Sequence, residues 1–259
     1  MMNSIFRENL EKYEDAIEYD RIHEDYLVDL PLILEWVPES GPIIELACGT
    51  GRLTIPLAEQ GHEMIGVDIH GGMLERAKTK ATDKNLTIQW FLQDCTQLSL
   101  KQSTKLMFMS GHSFQHFLTN EVQDALFQSV HQHLEDGGIF IFDTRNPIMD
   151  ELSKVDEYEE HFKHSNGMQV IEYHRETYNP LTQILHCETE RKFLKDTNLE
   201  SIEKDKISLR YVFPLEMRRL LNEHGFKVLH EFGGWNKNSL TAKSPQMVYV
   251  CQKKGVVKQ

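Results

Sequence analysis

Short apolar runs recur through the first 145 residues, and between them lie segments whose apolar positions return every three or four residues. The runs are 42-PIIEL-46, 63-EMIGVDI-69, 86-LTIQWFLQD-94, 106-LMFMS-110 and 139-IFIFDT-144, and they predict strands. The last is apolar almost throughout, as expected of a strand covered on both faces. Helices are predicted from about Arg52 to Gln60, over 73-MLERAKTKA-81, and from about Asn120 to Glu135, where Val122, Leu126, Val130 and Leu134 share one face. More helix is expected in the first forty residues, where Tyr13, Tyr19 and Tyr26 stand among acids. Strands alternating with helices predict a doubly wound, mostly parallel α/β sheet.

After Asn146 and Pro147 the period changes. The stretches 169-QVIEYHRETYN-179 and 182-TQILHCETERKFL-194 alternate at period two and are joined at Asn179, Pro180 and Leu181, so they predict an antiparallel hairpin with 205-DKISLRYVF-213 as a third strand. A helix from Pro214 that closes at Gly225, a strand, and a last strand at MVYVCQKK complete the chain. Phe213 stands where a capping Ser or Thr would pair with Glu216, so Pro214 alone is expected to define that helix start. Residues 1–148 and 211–259 therefore read as one α/β domain, interrupted by an antiparallel insertion over 149–210.

Composition narrows the function classes. The formal net charge is −12, with no basic patch set aside, which disfavours a nucleic-acid partner. Cys48, Cys95, Cys187 and Cys251 form no C-x-x-C pair and read as reduced, buried thiols. The first residues are too charged for a secretory signal, and no apolar run approaches the ~20 residues of a membrane span, so no membrane partner and a cytoplasmic location are expected.

The chemistry begins at 45-ELACGTGR-52. A strand, a glycine turn and a helix start make an anion or nucleotide site. A dinucleotide fingerprint needs a third glycine, and that position is Thr54; a P-loop needs Gly-Lys-Ser/Thr, and the sequence has Gly51-Arg52-Leu53. With 66-GVDIHGGML-74 and 93-QDCTQL-98 at these spacings, the chain resembles the class I S-adenosylmethionine-dependent methyltransferases, the three segments looking like that family's first three motifs.

The resemblance implies a Rossmann-like seven-stranded sheet, with the antiparallel β insertion after strand 5, and S-adenosyl-L-methionine as cofactor. It implies that Asp68 accepts the ribose hydroxyls, Asp94 the adenine amino group, the N–H of Cys95 a ring nitrogen, and that Arg52 pairs with the methionyl carboxylate. Glu45, Ala47, Gly49, Gly51, Ile69, Met73 and Ser110 complete the cofactor wall, with Tyr19 closing from the N-terminal helix. The alternative for Asp68 and Asp94, plain turn or helix-capping acids, is disfavoured by the glycine turn upstream. His112 and His116 lack the glutamate of a metalloprotease helix, so no metal is expected.

Ligands of such sheets gather beyond the carboxyl ends of the strands. 110-SGHSFQHFLTN-120 then faces the methyl acceptor, with His116 either a general base or a residue packed under the cofactor, and His112 and Gln115 beside it. Asp143, Arg145 and Asn146 after the fifth strand are the next acceptor-site candidates, followed by Arg210, Tyr211 and Trp235, although the two arginines could instead pair with acids of the insertion. The expected activity is methyl transfer to N or O of a small molecule, with a catalytically silent adenosylmethionine-binding scaffold as the alternative. The insertion is expected to set substrate choice or to form a homodimer contact.

Overall fold

The structure is a computed structural model that describes residues 9–10, 13–164, 166–195 and 198–255. Two helices, α1 (Ala16–His23) and α2 (Leu30–Leu34), precede the sheet. There follow β1 (Ile43–Leu46), α3 (Thr54–Glu59), β2 (Met64–Asp68), α4 (Gly71–Asp83), β3 (Gln89–Leu92), β4 (Thr104–Met109), α5 (Asn120–His133) and β5 (Leu134–Arg145). A short α6 (Met149–Leu152) leads to β6 (Asp156–Lys163), β7 (Gln169–Asn179), β8 (Ile184–Lys195) and β9 (Asn198–Arg210); α7 (Pro214–Glu223), β10 (Phe226–Phe232) and β11 (Gln246–Lys253) end the fold.

The main sheet has seven strands in the order β10-β11-β5-β4-β1-β2-β3, with β11 antiparallel to both neighbours. Strand β1 lies between β4 and β2, both parallel to it. The apolar runs follow from that position. Successive side chains point to opposite faces, so Ile44, Leu46, Val67, Met107 and Phe142 enter a core with α5 and α7, and Ile43, Met64, Phe108 and Ile141 enter a second core with α2 and α3. The order reverses at β1, so the turn after β1 and the loop after β4 open into the same crevice.

Strands β6–β9 form a separate antiparallel sheet in that sequential order. Its outermost strand β6, 156-DEYEEHFK-163, is absent from the sequence reading because it is exposed on nearly every position and carries no alternation. At the start of α7, the Glu216 carboxylate accepts from the Phe213 N–H at 3.3 Å. Half of the capping box therefore survives without the capping hydroxyl, so Pro214 does not act alone. All four cysteines are free and buried. Among the described residues no helix is long and apolar enough to cross a membrane.

Candidate active site

The chain leaves β1 through three residues of left-handed backbone, Ala47 (φ 52°), Gly49 (φ 54°) and Gly51 (φ 80°). Gly51 is required twice, by its φ and because a Cβ there would sit 3.0 Å from the Trp90 ring. The turn is tied to β2 by Asp68. Its Oδ2 accepts from the Gly49 N–H at 2.7 Å and its Oδ1 from the His70 N–H at 2.7 Å. Burial raises the pKa of this carboxyl, while those backbone donors oppose the shift. Each oxygen keeps a further lone pair for a ligand hydroxyl.

Thr54, which stands where a dinucleotide turn has glycine, is fully buried and donates its hydroxyl to Glu45 Oε2. Glu45 is itself 3% exposed, and burial pushes its pKa up to about 8. The unfolded carboxyl titrates near 4.5, so between about pH 4.5 and 8 the folded chain keeps a proton that the unfolded chain releases, and stability falls as pH rises through that window. A ligand bearing positive charge at this wall favours the carboxylate and expels the proton. Calorimetry with adenosylhomocysteine near pH 7, in two buffers of different ionisation enthalpy, should show proton release, up to about one per site. Glu45→Gln should show none and should melt higher than the parent at pH 8; identical buffer dependence in both proteins would remove this account.

Around the turn lies an inner cavity walled by Glu45, Ala47, Gly49, Arg52, Asp68, Ile69, Met73, Asp94, Cys95 and Ser110, together with Tyr19. Thus every expected cofactor residue except Gly51 reaches one wall. Asp94 also caps a short turn, Oδ1 accepting from Thr96 N–H at 2.8 Å and from its hydroxyl at 2.7 Å. Arg52 has a partner that the sequence did not show: Nη1 and Nη2 donate to the two Asp29 oxygens at 2.9 and 2.6 Å, and Nη2 also to Ser110 Oγ at 3.0 Å. Asp29, fourteen residues before β1 and without any motif, carries no sequence signal for this pairing.

Asn9 and Tyr13 were likewise missed. The Asn9 amide is held by the backbone of β9, with Oδ1 accepting from Ser208 N–H at 2.7 Å and Nδ2 donating to Ser208 O at 2.8 Å. That fixes which end is the donor, so Nδ2 (3.2 Å) faces His116 Nδ1 with a hydrogen, and the neutral His116 ring carries its own proton on Nε2, 3.1 Å from Tyr13 Oη. Burial raises the pKa of Tyr13 and of Tyr19, which keeps both phenols protonated.

An outer cleft opens between α1, the β4 and β5 ends and the inserted sheet, with His112, Asp143 and Trp235 on its wall. Tyr13, Tyr19, Arg52 and Gly111 line both spaces and mark the mouth between them. His116 lies on the inner side only, and His112 on the outer side only. Of the other acceptor candidates, Gln115, Arg145, Arg210 and Tyr211 line neither space. Arg210 is held by Leu118 O, Asn120, Gln183 and Glu216 at the root of the inserted sheet. The Tyr211 hydroxyl faces Arg145, and its ring packs with Leu152, Leu185 and Ile207.

Residues 43–138 match the profile of a methyltransferase domain. A putative methyltransferase of Geobacillus sp. strain WCH70 is 24% identical over 213 residues, 82% of this chain and 84% of its own length. The CcbJ methyltransferase of Streptomyces caelestis superposes with a TM-score of 0.78 at 22% identity, covering 94% of this chain and 98% of that one. The adenosylmethionine-bound CalS10, an amino pentose methyltransferase of Micromonospora echinaspora, gives 0.71 at 13% identity over 98% and 99%.

Proposed function

We propose that this chain, a class I S-adenosylmethionine-dependent methyltransferase, transfers the methyl group to nitrogen or oxygen of a small molecule held in the outer cleft. The observation that carries the reading is the mouth: a cavity built on the glycine turn and Asp68 opens, between Tyr13, Tyr19, Arg52 and Gly111, into a second space large enough for an acceptor.

The inner wall fits the cofactor. Asp68 is pinned by two backbone donors with acceptor capacity to spare for two ribose hydroxyls. Gly49 presents no side chain, so backbone is open to close approach, and Glu45 supplies an acid beside the space where the methionyl ammonium would lie. Asp94, Cys95 and Met73 stand where an adenine ring would need an acceptor, a backbone donor and an apolar shelf. When bound, adenosylmethionine supplies a methyl on a cationic sulfonium. The protein's part is alignment and exclusion of water, which can provide most of the acceleration of an in-line displacement.

The net charge of −12 supports a small-molecule acceptor over a nucleic acid. The exposed outer strand β6 is the edge through which a homodimer contact of the inserted sheet would form. The experiment is calorimetric titration of the purified protein with adenosylhomocysteine, followed by release of adenosylhomocysteine from adenosylmethionine in the presence of small amines and alcohols. Micromolar binding and acceptor-dependent release are expected. Binding without release from any acceptor would leave the silent scaffold as the better description, and no binding would remove both.

A further inference from the structure

At the end of β4 two consecutive residues, Gly111 (φ 71°) and His112 (φ 58°), adopt left-handed backbone. For a histidine that conformation is uncommon and persists only where the surroundings impose it. What imposes it is Asp143 on β5, 1% exposed. Its Oδ1 accepts from the His112 N–H at 3.0 Å, its Oδ2 lies 2.9 Å from His112 Nδ1, and Trp235 Nε1 donates to Oδ2 at 3.3 Å. The ring contact is close but off the line of an ideal hydrogen bond, as contacts of this kind often are before reactants are in place. A carboxylate at Nδ1 favours the tautomer with hydrogen there, which leaves Nε2 as the nitrogen able to take a proton.

The cleft on which His112 lies is acidic. Carboxylates on its wall outnumber guanidiniums seven to three. Each guanidinium is already held, Arg52 by Asp29, Arg76 by Asp20 at 2.7 Å, and Arg191 by Glu172 and Asp205. Three of the seven carboxylates are paired in turn, Asp29 with Arg52, Glu18 with Arg21 at 2.5 Å and Glu75 with Lys78 at 2.6 Å, which leaves the wall acidic by four carboxylates to none. Such a wall concentrates cations and repels carboxylate or phosphate acceptors. The aromatic rings of Tyr13 and Tyr19 at the mouth add faces that favour a cation.

We infer that His112, backed by Asp143, takes the proton from the methyl acceptor, and that the acceptor is a small amine that enters the outer cleft as its ammonium ion. This rests on the methyltransferase reading and names the acceptor class and proton route within it. His112 Nε2 accepts one ammonium proton and becomes imidazolium. The freed nitrogen pair then forms the N–CH3 bond as the S–CH3 bond breaks, its electron pair staying on sulfur, and the imidazolium proton passes to water. The product leaves as the methylated ammonium. His116, on the cofactor side with Asn9 donating to Nδ1, keeps the N-terminal segment in place instead.

Three readouts test this. In protein carrying 15N-histidine, with the His112 signal identified from His112→Gln, long-range proton–nitrogen spectra of the neutral ring should show hydrogen on Nδ1, and Asp143→Asn should abolish that preference. The ordinary Nε2–H tautomer in the parent would overturn the assignment. Offered amino sugars and the same sugars with hydroxyl in place of the amine, the enzyme with adenosylmethionine should release adenosylhomocysteine only with the amines. His112→Gln should lower kcat about 10²- to 10⁴-fold while leaving adenosylhomocysteine affinity within about twofold. Asp143→Asn should lower kcat more than it raises KM. Turnover of the hydroxyl sugars alone, or release from neither set, overturns the amine; an undiminished His112→Gln overturns the base. Failure of the parent to bind adenosylhomocysteine would instead strike the underlying reading.

Discussion

Asp68→Ala is expected to weaken adenosylhomocysteine binding by about 10²- to 10⁴-fold, because hydrogen bonds to a charged acceptor contribute about 1.5–3 kcal/mol each and two ribose hydroxyls lose theirs together. The side chain has a second task that compounds the loss. It holds the Gly49 and His70 N–H groups at 2.7 Å each, so its removal leaves two backbone donors without their acceptor and loosens the turn that shapes the cavity. Asp68→Asn separates the two. Its single oxygen can satisfy one of these donors while its NH2 opposes the other, so an intermediate loss is expected. Calorimetry measures the affinity, and thermal unfolding of the same variants reports whether the fold persists. Affinity within threefold of the parent for Asp68→Ala would show that this acid is only a turn cap and would remove the cofactor role given to it.

The second large effect is on stability. Asp29 and Arg52 have side chains 1% and 10% exposed, and their pairing is bidentate. A buried pair contributes little relative to apolar residues of equal volume, but removing one member strands the other charge, typically at a cost of about 3–5 kcal/mol. Asp29→Ala is placed near the lower end, about 3 kcal/mol, because Ser110 Oγ and Tyr26 O still accept from the guanidinium. Urea unfolding should show the midpoint fall at unchanged slope. The double variant Asp29→Leu, Arg52→Met should recover most of that stability, yet bind adenosylhomocysteine less well than the parent, since Arg52 lines both the cavity and the mouth. A loss under 1 kcal/mol for Asp29→Ala, or no recovery in the double variant, would mean that the pair is not buried as described.

Parts of the site were legible for local reasons. A strand followed by a glycine turn, and acids at the ends of the next two strands, are fixed by chain proximity, so spacing and resemblance alone point to Asp68 and Asp94, and both line the inner cavity. Thr54 is instructive: its presence removed the dinucleotide reading, and the fold then gives it a partner, Glu45, nine residues earlier. The acceptor side was less legible. Arg145 and Arg210 close β5 and β9, Tyr211 follows β9, and Asp143 stands two residues before the end of β5, but a residue's position at a strand end does not say which way its side chain leaves the sheet. Strand alternation and the turn of the inserted sheet sent them to its root, where Glu216, Gln183 and Asn120 take up Arg210.

What the sequence determined by itself is whatever depends on neighbours along the chain: the order of strands and helices, the glycine turn, the acids that follow it, and through them the cofactor. Contacts between distant segments were decided only by the tertiary structure. Asn9 meets Ser208 across 199 residues, Trp235 meets Asp143 across 92, and Arg52 meets Asp29 across 23. No periodicity records such pairs, because the chain pays their loop-closure entropy only when the sheet order and the inserted strands bring the ends together. That is why the donor of the methyl group could be read early, whereas His112, Asp143 and Trp235, three among several acceptor-side candidates along the chain, are brought together on one wall only where β4, β5 and the loop carrying Trp235 converge.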